Sequence, residues 1–141
     1  MGKLIFVNLP VTDLDRSIAF HEKMGAVNDP MFTDATAAKM TYSDEIHVML
    51  LTHERFAEFT DKERVDARRQ AQVLICFSAE SREEIDRLTE LAGTCGGRSD
   101  PGPVQEHGFM YGRSYEDPDG HIFELAWMDM EAARKALAAA G

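Results

Sequence analysis

The sequence predicts an α+β fold made of two similar modules in one chain of 141 residues. Three observations carry this. The order strand, helix, strand, strand, strand is read across residues 3–52 and again across 71–128. Sliding the first strand–helix unit by 67 residues lays Phe6 on Val73, Asp13 on Glu80, Ile18 on Ile85 and Met24 on Leu91. Between the modules, 53–70 turns to a charged pattern that no buried strand supports. One such module is too small to bury a core alone, so the two are expected to combine their sheets within a single domain, 1–141.

The first strand is Lys3 to Leu9, with Phe6 and Asn8 on one face, Ile5 and Val7 on the other, and Pro10 at its end. Thr12-Asp13-Leu14-Asp15 supplies an N-cap, Leu14, Ile18 and Met24 follow at helical spacing, and Gly25 closes the helix. Ala26 to Thr33 reads as a strand interrupted by Pro30. Ala37 to Tyr42 and Ile46 to Leu51 are two more strands, joined by a turn at Ser43-Asp44-Glu45. The charged linker carries one or two helical turns anchored by Phe56 and Phe59. Ala71 to Phe77 is then an apolar strand, and Ser81-Arg82-Glu83-Glu84 is a capping box for a helix with Ile85, Leu88, Leu91 and Ala92 on one stripe. That helix stops at Gly93 or in the Gly96-Gly97 turn. The second module ends in a hairpin, Phe109 to Tyr115 and His121 to Trp127, turned by Asp117-Pro118-Asp119-Gly120. A last alanine-rich helix covers 129–141.

Composition is that of an ordinary globular chain, 44% apolar and 28% charged. The net charge of −10, from 25 acidic against 15 basic side chains, argues against nucleic acid and anionic membranes as partners. Arg64, Arg68 and Arg69 cluster, but with Glu63 and Asp66 among them they read as a solvated helix face or linker. Two cysteines, Cys76 and Cys95, form no C-x-x-C motif or disulfide framework, and no leader or membrane-spanning run is present; a cytoplasmic protein is expected. Open curved sheets of this size leave edges and apolar faces that a second copy covers, so a homodimer is expected.

Glu124 stands among Ile122, Phe123, Leu125 and Ala126, where a carboxylate must be paired, protonated or metal-bound to be buried. It reads as a cavity base or substrate anchor, or else as the structural partner of Arg113 across the hairpin. His47, on the face of Met49 and Leu51, and His107, before Phe109, are candidate bases or ligands; the alternative is ordinary hydrogen-bonded histidines. Asn8, Met49, Tyr111 and Arg113 are candidate substrate contacts, Tyr111 and Arg113 sharing one strand face. His21 reads as a helix-surface residue, His53 as solvated, and His121 as facing away from Glu124.

Val11-Thr12-Asp13-Leu14-Asp15-Arg16-Ser17-Ile18-Ala19-Phe20 resembles the first strand-to-helix passage of the vicinal oxygen chelate superfamily, which includes glyoxalase I, bleomycin-resistance proteins and extradiol dioxygenases. Asp117-Pro118-Asp119-Gly120-His121-Ile122-Phe123-Glu124 resembles its last hairpin. The stretch His107 to Ser114, HGFMYGRS, is similar to small bacterial glyoxalase-like proteins of the lactoylglutathione lyase type. The resemblance implies a curved, partly closed mixed sheet of two tandem βαβββ modules around a cavity, with up to four ligands to a divalent metal such as nickel, zinc, iron or manganese. It places those ligands at Phe6, at Val73 or Leu74, near Met49 or Leu51, and at Glu124. Glu124 is then the one matching donor, and the family metal site is expected to be degenerate. The resulting expectation is a protein that binds or transforms a small molecule without that site. The alternatives are a glyoxalase-type lyase whose metal is held by His47, His107 and Glu124, and a bleomycin-resistance-type drug-binding protein.

Overall fold

The structure, a computed structural model, describes residues 2–140; residues 1 and 141, included in the predicted domain and helix limits, lie outside the described residues. In the first half, β1 (Ile5–Val11) runs parallel to β4 (Ile46–Thr52), which pairs antiparallel with β3 (Ala37–Thr41), itself paired with β2 (Val27–Asp29). In the second, β5 (Ile75–Ser78) runs parallel to β9 (Ile122–Met128). β9 pairs antiparallel with β8 (Met110–Glu116), whose far edge takes two short strands, β6 (Arg98–Ser99) and β7 (Gln105–Glu106). β1 and β5 are each the edge of their own sheet, so no ladder joins the two. The α+β fold is as the sequence predicts, and its two halves form two mixed sheets that are not closed into a barrel.

Local chemistry sets the helix starts. Asp13 caps α1 (Leu14–Lys23) by accepting the Arg16 N–H, and Ser81 caps α3 (Arg82–Thr94) by accepting that of Glu84. Gly25, at φ +108°, lets the chain turn back into β2. Pro30 does more than interrupt that strand: it ends β2 at Asp29, and Pro30–Phe32 is a 3₁₀ turn. The apolar run 71–74 is not strand, and β5 begins only at Ile75. α2 (His53–Ala57) is a single short helix, after which the linker follows no regular element. α4 (Met130–Ala140) closes the fold, and no described helix is long and apolar enough to cross a membrane.

The two halves share one core. Leu9, Val11, Val48 and Leu50 from the first sheet meet Phe20 of α1 and its C-cap Met24, and the cluster continues into Ile85, Tyr115, Phe123 and Leu125 of the second half. An aromatic seam stitches them: Phe20, His21, Tyr42, Phe77, Tyr115 and Phe123 pack with ring centroids 4.8–6.1 Å apart. His21 lies inside it, fully buried rather than on the helix surface. Its Nδ1 is 2.6 Å from the Tyr42 hydroxyl and its Nε2 3.4 Å from Asp117 Oδ2. Ser17, Phe20 and His21 form the buried stripe of α1, continued by the C-cap Met24 and rotated from the stripe that Leu14 and Ile18 define. Burial, with the Tyr115 and Asp117 charges beside it, pushes the Tyr42 phenol up.

The Asp117–Gly120 turn holds the halves in place. Asp117 Oδ1 accepts the N–H groups of Asp119 and His121 at 3.0 and 2.9 Å. Asp119 Oδ1 accepts the Thr12 N–H at 2.8 Å, and His121 Nε2 donates to the Pro10 carbonyl at 2.7 Å. The linker crosses Gly120 so closely that a Cβ there would stand 2.7 Å from the Ala67 carbonyl oxygen and 2.8 Å from Arg68 Cα. Arg68 Nη2 donates to the Pro118 carbonyl at 3.2 Å.

Candidate functional site

A cavity of about 590 Å³ opens where β1 ends and β9 begins, beneath the linker. Its apolar walls include Leu9, Pro10, Phe56, Val73, Ile75 and Ile122. Asn8, Gln70 and Gln72 add amides, and Lys62, Glu63 and Arg64 bring charge from the linker. A space of that size, mostly apolar with a few polar groups, has the anatomy of a small-molecule site. The linker is a wall of this site because Gly120 seats it, so the segment read as a solvated connector supplies most of the polar lining. Asn8 Nδ2 reaches only its own strand, at 3.4 Å from the Phe6 carbonyl, and its face of β1 is exposed.

Glu124 stands elsewhere. In register it lies between Cys76 of β5 and Ser114 of β8, and the three line a separate recess of about 130 Å³ with Met110 and Gly112. Partial burial, with the Glu124 charge beside it, pushes the Cys76 thiol up. A raised thiol is a poorer nucleophile at neutral pH. Asn8 and Glu124 are thus not brought into one cavity.

Tyr111 and Arg113 face the other way. Arg113 is in register with buried Leu125 and Tyr111 with Trp127, on the α3 side of the sheet. Arg113 donates to Asp100 at 2.6 and 3.0 Å, to Glu90 at 2.7 Å and to Asp86 at 3.0 Å; no contact reaches Glu124. The Asp100 bonds, with Glu90 and Asp86, hold the guanidinium well above its usual range. Tyr111 donates to Asp86, and Arg82 lies over the Tyr111 and Trp127 rings at 4.9 and 5.4 Å. Arg82 also forks onto Glu106, and that pairing with the Gly108 N–H lowers the Glu106 carboxyl to about 2.

The candidate histidines are likewise occupied. His47 is buried, its Nδ1 3.0 Å from Thr41 Oγ1, its Nε2 3.2 Å from the Asp44 carbonyl, and its ring stacked on Phe6 at 4.8 Å. His107 is exposed, with Nε2 3.2 Å from Gln105 Oε1. Met49 lies in register beside Asn8 and Lys39 on the face opposite the core. His53 is partly buried rather than solvated, and burial followed by the Arg64 charge lowers it.

Residues 3–125 match the Glyoxalase/Bleomycin resistance protein/Dioxygenase superfamily. The chain belongs to this superfamily. No curated protein matches it, whereas several solved structures share its fold. A hypothetical protein from S. aureus is 21% identical, with 90% of this chain and 94% of the other covered and a TM-score of 0.75. A glyoxalase-related enzyme from Fulvimarina pelagi is 20% identical, with 90% and 88% covered and a TM-score of 0.72. A fosfomycin resistance protein from Listeria monocytogenes is 20% identical, with 90% and 91% covered and a TM-score of 0.63.

The divalent metal that the superfamily implies does not fit the residues present. The helix caps Asp13 and Ser81 lie 68 residues apart, which sets Leu74, not Val73, opposite Phe6 in the repeat. Phenyl and isobutyl side chains donate nothing, and Met49 and Leu51 offer at most a weak thioether to a hard ion. Among the described residues no three histidine, cysteine, aspartate or glutamate side chains converge. His47 and His107 are bonded within their own strands and turns, away from Glu124.

Proposed function

We propose that this superfamily member binds a small organic molecule in the cavity between β1, β9 and the linker, without recourse to the family's four-ligand metal site. The observation that carries the reading is the cavity itself, apolar walls with Asn8, Gln70 and Gln72 set into them, beside a donor set reduced to Glu124. A glyoxalase-type lyase would need Glu124 and a histidine to reach one metal, and the hydrogen bonds of His47 and His107 work against that. Two free cysteines accord with a reducing, cytoplasmic setting. A homodimer belongs to the same proposal: Phe6, 47% exposed, and Leu74, 57% exposed, lie on apolar surface that a second copy would cover.

The test is a screen of small carbonyl and aromatic compounds by protein NMR, with elemental analysis alongside. Hits are expected to shift the amides of residues 67–73 and 120–122. Elemental analysis after dialysis is expected to find no stoichiometric divalent metal in the purified protein. About one metal per chain, absent from Glu124→Ala and accompanied by turnover of a hemithioacetal, would promote the lyase reading instead.

A further inference from the structure

We infer that the ligand of the linker cavity is a small organic anion, an apolar body carrying a carboxylate or a like group. This rests on the cavity reading above and goes beyond it in naming the charge. The chain as a whole carries −10, yet this cavity is lined by Lys62 and Arg64 against one acid, Glu63. Five arginines elsewhere are engaged: Arg113 by three carboxylates, Arg82 by Glu106, Arg98 by Glu116, Arg55 by Glu58 and Arg68 by the Pro118 carbonyl; Arg16, Arg69, Arg87 and Arg134 have no carboxylate within 4.0 Å among the described residues but do not line this cavity. Among the described residues, neither Lys62 nor Arg64 has a carboxylate within 4.0 Å. Asp119 lies in an adjoining recess with Arg64, but it is buried and its Oδ1 holds the Thr12 N–H. A chain this acidic has ample carboxylate to neutralise two cations at a cavity mouth, and the linker leaves them free.

The remaining lining suits the same ligand. Pro10, Ile75 and Ile122 form a floor without charge, so the anionic end would sit at the linker and the apolar end against β1 and β9. Gln70, Gln72 and Asn8 can donate amide N–H bonds to carboxylate oxygens along the way, a charge-assisted contact stronger than one to a neutral group. The cations are exposed, so each contributes modestly and is screened by salt.

The test compares three probes of one shape, 4-phenylbutanoate, 4-phenylbutanol and 4-phenylbutylammonium, by NMR titration of the full chain. The carboxylate is expected to bind about tenfold tighter than the alcohol and the ammonium weakest, all at the amides of residues 67–73 and 120–122. Lys62→Gln with Arg64→Gln should abolish the carboxylate's advantage over the alcohol. High salt should weaken the carboxylate alone. If the alcohol or the ammonium binds at those amides as tightly as the carboxylate, the charge assignment is overturned while the cavity reading stands. If all three shift amides elsewhere, or none, both fail.

Discussion

Gly120→Ala isolates the contact that makes the linker a cavity wall. Gly120 sits at φ +94°, and a Cβ there would meet Ala67 O at 2.7 Å and Ala67 C and Arg68 Cα at 2.8 Å. All three are backbone atoms, which cannot swing aside as a side-chain tip does. The left-handed backbone alone costs an alanine about 1–2 kcal/mol, and relieving the overlap by moving the linker adds roughly 1–3 kcal/mol. Gly25→Ala is the control: φ is +108° and nothing lies within 4 Å of the added Cβ, so it carries the backbone term without the contact. In a chain of this size each kcal/mol shifts Tm by about 3–4 °C. Gly120→Ala is thus expected to melt about 3–12 °C below Gly25→Ala in calorimetry. Hydrogen exchange should show the 66–73 amides loosened only in Gly120→Ala. Equal losses in Tm with unchanged exchange in 66–73 would refute the seating of the linker on the turn.

Asp117→Ala removes the partner of His21 and the acceptor of two N–H groups at once, and urea unfolding is expected to show a loss of about 3–5 kcal/mol; under about 1 kcal/mol would show the seam does not depend on it. The carboxyl of Glu106 is expected to titrate near 2 by NMR, and in Arg82→Gln to return towards the ordinary glutamate range. Its folded value lies below its unfolded one, so the Arg82–Glu106 tie is complete above about pH 4.5 and is lost as pH falls through about 2; a midpoint near 4.5 in the unaltered protein would rule it out. Light scattering at micromolar concentration is expected to give twice the 15.8 kDa chain mass, and Phe6→Asp to give the single chain; a clean monomer before substitution removes the dimer.

What the sequence made legible was what neighbouring residues settle among themselves. Both helix starts, the Asp117–Gly120 turn and the hairpin of β8 and β9 follow from caps, turn residues and alternation within a dozen positions. The run 71–74 misleads because its apolar character reads as strand, whereas Val73 and Leu74 are more than half exposed and precede β5. Alternation placed Tyr111 and Arg113 on one face of β8 but could not say which face α3 covers. The signal for that was present: Asp86 and Glu90, spaced i and i+4 on α3, are the acids that take Arg113. His21 needed only a stripe through Ser17 and Phe20 in place of Leu14 and Ile18. The linker cavity had no local signature, since it exists only where a charged segment crosses a glycine some fifty residues away in the chain.

The motif that links this chain to its superfamily is spent on architecture. Asp117 pairs with His21 in the seam and ties the turn, Asp119 caps the passage from β1 to α1, and Gly120 gives the linker its seat. Every one of those tasks would be needed with or without a metal. The presence of Asp-Pro-Asp-Gly therefore measures fold and not chemistry, and Glu124, four residues past Gly120, is the only part of the motif left to a site. There it meets a thiol and a hydroxyl rather than imidazoles, in a recess apart from the large cavity. With the family's metal position filled by Phe6 and Leu74, the polar groups that line the large cavity come mainly from the linker, Lys62, Arg64 and Gln70, with Gln72 and Asn8 beside them over an apolar floor. A site assembled from a connector can change its specificity by substitutions that leave both sheets untouched, because none of Lys62, Arg64, Gln70 or Gln72 is buried in the core.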